Sequence, residues 1–426
     1  MSYDVVWVQF LQTGGKFSKN CQNSQRIVFI LKNARFIPLN HYSFQWNIKT
    51  LCYICQDIYC NMPVLEKIVI SDFRNIQLQE LEFSPNVNCI SGNNGEGKTN
   101  LLDAVYYLSM TKSAFASSDR FNFRHGTDEF ALSGVYRMEN GTAARFAVKM
   151  SSKGEKKVRR DDKQYNKVSE HIGVLPIVMV SPADISLVSD SGDERRRFVN
   201  SVLSQMDREY MSALQQYNRL LLQRNKMLKE MNPDRSLMEV IDMRMGMLAE
   251  PIHKARSRFV QELVPVVSEF YRSLSGDSEQ VSIEYDTELS KAGLEQLLAA
   301  SFDKDRALKY TTSGIQRDDF LFTMNGHPIR RYGSQGQQKS FLVALKFAQY
   351  EIMKKNYGFA PILLLDDVFD KLDMGRISNL LQMVASNDFG QIFITDSNKV
   401  RMSGIVDRLT QDRAYYDTQA GQFTRL

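Results

Sequence analysis

The eight residues Gly92-Asn93-Asn94-Gly95-Glu96-Gly97-Lys98-Thr99 constrain this chain more than any others, because they fit the pattern G-x-x-x-x-G-K-[ST] without a mismatch. A short apolar run, Val87-Asn88-Cys89-Ile90, leads into them. From Lys98 to Leu108 the residues Leu101, Leu102, Ala104, Val105 and Leu108 recur at helical spacing. Strand, glycine-rich loop and helix are the context that phosphate binding requires. The glycines let backbone N–H groups turn inward around phosphate oxygens. Lys98 brings a positive charge to the β and γ phosphates, the Thr99 hydroxyl is expected to ligate Mg²⁺, and the helix N-terminus adds its partial positive charge. Gly92, Asn93, Asn94, Gly95, Glu96, Gly97, Lys98, Thr99 and the adjoining Asn100 are therefore candidate nucleotide-binding residues, with ATP and Mg²⁺ the expected cofactors.

A second segment supplies what the loop lacks. Pro361 to Leu365 is an apolar strand that ends in Asp366-Asp367. A buried strand delivering carboxylates at its end suits the other half of a phosphoryl-transfer site. Asp366 is expected to hold Mg²⁺. Asp367 is expected to polarise the attacking water as general base, so that Asp367 and Lys98 are the candidate catalytic pair.

Shortly before that strand, Tyr332-Gly333-Ser334-Gln335-Gly336-Gln337-Gln338-Lys339-Ser340 opens a strong helix. A serine hydroxyl and a glycine backbone at a helix N-terminus make an anion site. The segment resembles the signature motif of ABC ATPases in its S-x-G-Q form, and it stands in the chain order those proteins have. The resemblance implies an α/β fold, an ABC-type (Rad50-like) P-loop ATPase head with an inserted helical lobe. It implies that Ser334, Gly336 and Gln337 grip the γ-phosphate of ATP bound by a second copy, giving an ATP-dependent homodimer. Asp370-Lys371-Leu372-Asp373 resembles the loop that also reaches across such a dimer. Many ABC ATPases carry a His after the next strand. Here that strand ends in Thr395-Asp396, so either Thr395 or Asp396 serves as γ-phosphate sensor or the role is absent.

The motifs from Met62 to the C-terminus are similar to those of the RecF family of DNA replication and repair proteins. Carrying residues are Asp72-Phe73-Arg74-Asn75, Gly92 to Asn100, Pro182-Ala183-Asp184, Arg195-Arg196-Arg197-Phe198, Tyr217 to Asn225, Gly314-Ile315-Gln316-Arg317-Asp318-Asp319, Ser334 to Gln338 and Leu363 to Asp373. Two departures stand out: the family usually has Pro-His where this chain has Ile315-Gln316, and the Arg that often follows Lys112-Ser113 is missing. The resemblance implies binding to single-stranded, gapped or junction DNA and an ATP-driven clamp reset by slow hydrolysis. It also implies loading of recombination mediators of the RecO/RecR type and support of replication restart and SOS induction. The alternative reading is a Rad50-like ATPase effector subunit of a defence or transport system.

Composition narrows little. The charge is +5, and residues 1–61 hold six Lys or Arg against Asp4 and Asp57, which leaves the remainder near neutral. A near-neutral body permits a local basic face and no more. Two clusters are candidates for DNA phosphates: Lys153, Lys156, Lys157, Arg159 and Arg160 on an expected hairpin, and Arg195–Arg197. No apolar run is long enough to span a bilayer, so no membrane is expected; with Cys89 the single cysteine after Met62, nothing suggests a disulfide framework, and the location expected is cytoplasmic. Cys52 and Cys55 lack a second pair at zinc spacing. Residues 1–61 read as an extension outside the fold, with Met62 a natural start. Residues 62–190 read as a first ATPase lobe, 191–276 as a helical insertion and 277–426 as the rest of the ATPase core. Helices are expected from Asp193 to Met231 and from Leu237 to about Leu274.

Overall fold

The computed structural model describes residues 62–138, 140–230, 234–275, 279–368, 389–398 and 412–426. The readings placed on residues 1–61 and on Asp370 to Asp373 lie outside these.

Strands β3 (Val87–Ser91), β8 (Ile177–Val180), β12 (Ile362–Asp366) and β13 (Ile392–Asp396) are mostly apolar and buried at every position. Continuous apolar runs of this kind suit parallel strands covered on both faces. They lie parallel to one another and to β14 (Arg413–Gln419), which pairs antiparallel with β15 (Gln422–Arg425); the sheet order is β15-β14-β3-β13-β12-β8. Strand side chains alternate between faces. Leu363 and Leu365 therefore join one core, with the helical lobe, and Ile362 and Leu364 join the other.

Helix α1 (Lys98–Met110) fills that second core, between the parallel sheet and an antiparallel one. The antiparallel sheet runs β2 (Ile76–Glu82), β1 (Val64–Phe73), β4 (Glu129–Arg137), β5 (Ala143–Ser151), β6 (Lys156–Arg160) and β7 (Lys163–Gln164). Strands β4 and β5 alternate cleanly. In β5, Ala144, Phe146, Val148 and Met150 point inward, while Arg145 and Lys149 face water. Phe73, Tyr107 and Phe130 meet edge to face at centroid distances of 5.2–5.9 Å, fixing α1 on this sheet.

The single helical stretch expected from Asp193 is two helices, α2 (Gly192–Met206) and α3 (Arg208–Met227). Asp207 breaks them apart. Its backbone is extended, and its carboxylate accepts from the N–H groups of Glu209 (2.8 Å) and Tyr210 (3.0 Å) as an N-cap. Helix α4 (Arg235–Ser275) is close to expectation, and α5 (Leu294–Leu308) follows β9 (Val281–Asp286). β9 pairs with β10 (Asp319–Met324), which also pairs with the short β11 (His327–Pro328), and α6 (Gln335–Tyr357) returns the chain to the parallel sheet.

Buried ion pairs tie this lobe together and overturn one reading of the sequence. Arg195 makes a bidentate contact with Asp319 at 2.8 and 2.9 Å, and Arg196 donates to the Asp318 carbonyl at 2.6 Å. Arg256 pairs with Asp318 at 2.5 Å, and Arg224 with Asp242 at 2.7 Å and Asp305 at 2.6 Å. Arg195 and Arg196 are thus withdrawn from any role at DNA phosphates, because removing a partner would strand a buried charge. Only Arg197 of that run is exposed. The same contacts explain Gly314 to Asp319. Gly314 has φ 119°, a Cβ there would meet the Tyr217 hydroxyl at 2.5 Å, and the two aspartates hold Arg256 and Arg195.

Candidate nucleotide site

Parallel strands place their C-terminal ends on one edge, where ligands of open α/β sheets bind. Here β3 and β12 are not neighbours; β13 lies between them. Register then decides what meets. Asp396 is opposite Ser91, and Thr395 is opposite Asp366.

The loop after β3 needs unusual backbone. Gly92, Gly95 and Gly97 have φ 153°, 85° and 113°. At Gly92 a Cβ would meet Thr418 Cγ2 at 2.6 Å and the Thr418 carbonyl at 2.7 Å, and at Gly97 it would meet the Asn75 amide at 2.9 Å. At Gly95 it would meet nothing, so that stretch, with exposed Asn93 and Asn94, faces open space. Lys98 is buried, and its ammonium donates to the carbonyls of Gly92 (2.8 Å) and Asn93 (3.0 Å). The charge is therefore held across the mouth of the loop.

Thr99 brings the two halves of the site together. Its hydroxyl lies 3.0 Å from each Asp366 carboxylate oxygen. Asp366 also accepts from the Thr395 hydroxyl at 2.8 Å. Burial pushes the Asp366 carboxyl above the usual range, the hydroxyls of Thr395 and Thr99 oppose this, and neighbouring Asp367 adds to it. Asp367 has φ 44°, in the left-handed region, and its N–H donates to Thr395 Oγ1 at 3.0 Å. The turn so held directs the chain away from the strand just after Asp366.

Thr395 is wholly buried and engaged with both acids, so it positions them and does not face a phosphate. Asp396 is also buried and accepts from Asn398 N–H at 2.8 Å.

Other loop residues are held from outside the motif. Glu96 accepts through its carbonyl from Gly421 N–H at 2.8 Å and through its carboxylate from Ala420 N–H. Its side chain thus serves the β14–β15 turn. Asn100 accepts from Arg74 at 3.0 Å and donates to Asn75 at 2.7 Å. Arg74 in turn pairs with buried Asp103 at 2.6 Å. Arg74 and Asn75 stand in a motif that the sequence shows, but no local signal ties Ala420 and Gly421, more than 300 residues on, to the loop.

Ser334 caps α6. Its hydroxyl accepts from Gln337 N–H at 3.3 Å, and the Gln337 side chain accepts from Ser334 N–H at 2.6 Å. This capping box fixes the first turn. The Gln337 amide also donates to Glu279, so its side chain is engaged within the chain. The first-turn N–H groups of Gln335 and Gly336 have no intrahelical acceptor, as at any helix start, and point outward with the dipole.

Of the basic hairpin, Lys156 is tied to Asp119 at 2.7 Å and to the Thr111 carbonyl at 2.8 Å. Lys153, Lys157, Arg159 and Arg160 remain exposed.

A family profile described as RecF/RecN/SMC N terminal domain matches residues 64–414. The DNA replication and repair protein RecF of Parabacteroides distasonis is 43% identical over 359 residues, which is 84% of this chain and 98% of that protein. The RecF protein of Bacteroides fragilis is 41% identical over 364 residues, covering 85% of this chain and 98% of its own length. A solved structure described as the recombination mediator protein RecF-ATP in the RecFOR pathway superposes with a TM-score of 0.79 at 28% identity, over 86% of this chain and 98% of that one. A Smc head domain from Pyrococcus furiosus shares the fold, with a TM-score of 0.51 at 16% identity.

Proposed function

The chain belongs to the RecF family of DNA replication and repair proteins, and from that premise we propose that it is an ATP-gated DNA clamp whose slow hydrolysis resets it. The observation that carries the reading is the contact of Thr99 with Asp366 at 3.0 Å. It joins phosphate loop and acidic strand into one phosphoryl-transfer site.

The oxygens fit Mg²⁺. Bonds of about 2.0–2.1 Å in an octahedron put adjacent ligands roughly 2.9 Å apart, close to the 3.0 Å between the Thr99 hydroxyl and Asp366. A buried carboxylate with a raised pKa also gains from a cation. When bound, the ion would neutralise charge developing between the β and γ phosphates. Thr99 and Asp366 would hold it. The backbone amides of Gly92 to Thr99 and the Lys98 ammonium would orient the phosphates. Asp367, turned by its bond to Thr395, would take the proton of the attacking water.

Ser334 and the outward N–H groups of Gln335 and Gly336 would complete the site of a second copy, so that ATP closes a homodimer. Recombination mediators of the RecO/RecR type are the proposed protein partners, and single-stranded, gapped or junction DNA the proposed nucleic acid. No described helix is long and apolar enough to cross a membrane. The alternative, an effector subunit of a defence or transport system, has no support among these relatives.

The test is fluorescence anisotropy of labelled gapped, single-stranded and duplex DNA with the full chain, with and without ATP–Mg²⁺, beside Ser334→Arg. ATP-dependent binding that the variant loses, while it still binds ATP, is the expected result. No binding to any DNA at low salt would remove the clamp and leave the nucleotide site standing.

A further inference from the structure

On helices that supply none of the candidate nucleotide residues, the helical lobe carries a second feature. Exposed large apolar side chains are normal when scattered. Among the described residues, five of the twelve exposed large apolar side chains gather on two helices: Leu222, Leu237, Val240, Met243 and Met247, of α3 and α4, are 71, 50, 42, 40 and 67% exposed. On α4, Leu237, Val240, Arg244 and Met247 are spaced three, four and three, which puts them on one helix face. That face borders a groove of about 490 Å³ lined by Gln216, Arg219, Leu220 and Gln223 of α3 and by Arg244, Met247 and Leu248 of α4. The buried Arg224–Asp242 pair at 2.7 Å locks the two helices in this register.

The charge in the groove is one-sided. Arg219 and Arg244 line it, and no acid does. Neither arginine has an ion-pair or hydrogen-bond partner among the described residues. The acids nearest along the chain are committed elsewhere, Asp242 to Arg224, Glu239 to Arg235 and Glu250 to Lys254. A lining that combines Leu220, Met247 and Leu248 with two unpaired guanidinium groups matches an occupant that carries both carboxylates and apolar side chains. Methionine adapts to such partners, and arginine binds carboxylates in bidentate fashion. Duplex or single-stranded DNA would leave the apolar stripe wet.

We propose that the α3–α4 groove is a docking site for a partner protein, which it takes by a short segment of alternating acidic and large apolar residues. This inference stands apart from the nucleotide reading and does not depend on it.

The experiment is a titration of the full chain into a fluorescein-labelled peptide of alternating Asp or Glu with Leu, Met and Phe. A control peptide has every acid replaced by Asn or Gln. The acidic peptide should bind at least about tenfold more tightly, and Arg219→Glu with Arg244→Glu should weaken it by about tenfold or more. Met247→Ser should weaken it several-fold, and mant-ATP binding should be unchanged in every variant, which certifies the fold. Equal affinity for both peptides, or no effect of charge reversal in variants that still bind mant-ATP, would overturn the proposal. So would an oligonucleotide whose affinity falls on Arg219→Glu and Arg244→Glu while the peptide does not bind. A chain that self-associates through this face, losing its dimer on Met247→Ser, would overturn it as well.

Discussion

Thr395 donates its hydroxyl proton to Asp366 at 2.8 Å and accepts the Asp367 N–H at 3.0 Å, so one buried side chain sets both acids of the candidate site. Thr395→Val keeps the shape and removes both bonds. The Asp367 N–H then loses its acceptor, at a cost of about 1–3 kcal/mol. ATP affinity should change little, because Thr395 does not face the phosphate loop's mouth. Turnover should fall by about tenfold or more, equivalent to roughly 1.4 kcal/mol of barrier. Equal turnover in single-cycle ATPase assays would remove Thr395 from its positioning role.

Asp366 sets function against stability. Burial raises its carboxyl pKa, so the folded chain holds a proton that the unfolded chain releases above pH ~3.9. Stability from this group is full below that pH and is lost as pH rises through the folded value. At neutral pH the ionised group is a burden on the nucleotide-free protein. Asp366→Asn can still accept from Thr395, and its amide can donate to the Thr99 oxygen. Its nucleotide-free Tm should rise by a few degrees, at about 2–4 °C per kcal/mol for a domain of this class. Mg²⁺-dependent ATPase should be lost. A lower Tm by calorimetry would contradict this account.

The clamp on the phosphate loop can be tested at Gly421. It has φ 80°, and a Cβ would sit 2.5 Å from the Asn75 carbonyl oxygen. Gly421→Ala should cost about 1–3 kcal/mol through strain and displace the turn that holds Glu96. Mant-ATP affinity should drop although no contact with nucleotide has been altered. Unchanged affinity would show that the loop holds its shape alone.

His171 predicts a pH dependence. It is wholly buried, its Nε2–H donates to the Leu108 carbonyl at 2.6 Å near the end of α1, and Phe146 and Tyr165 flank it. Burial holds its pKa below the ordinary value. The unfolded chain therefore takes up a proton near pH ~6.5 while the folded chain does not. Stability is fully present above that pH and is lost as pH falls toward the folded value. His171→Gln, which keeps a donor, should flatten the fall in Tm between about pH 7.5 and 5.5. A slope identical to that of the parent would assign the acid sensitivity elsewhere.

What the sequence by itself determined is local. The phosphate loop is a pattern of eight residues with a strand before it and a helix after it, and all three can be read within one short window. The acidic strand and the capped signature helix are legible for the same reason, since periodicity and caps act over a few residues. Pairings across the chain were decided only by the tertiary structure. Thr395 meets Asp366 because β13 lies between β3 and β12, and no local pattern sets strand order. Glu96 meets Ala420 across 324 residues. Arg195 and Arg196 read as a basic run fit for phosphates, yet the return of Asp318 and Asp319 some 120 residues later places them in ion pairs. Arg219 and Arg244 are the reverse case: no local pattern joins them, yet they line one groove because an antiparallel helix pair aligns them there without a carboxylate in its lining. A charge is ordinary or functional according to what folds against it, and that depends on contacts no window of sequence contains.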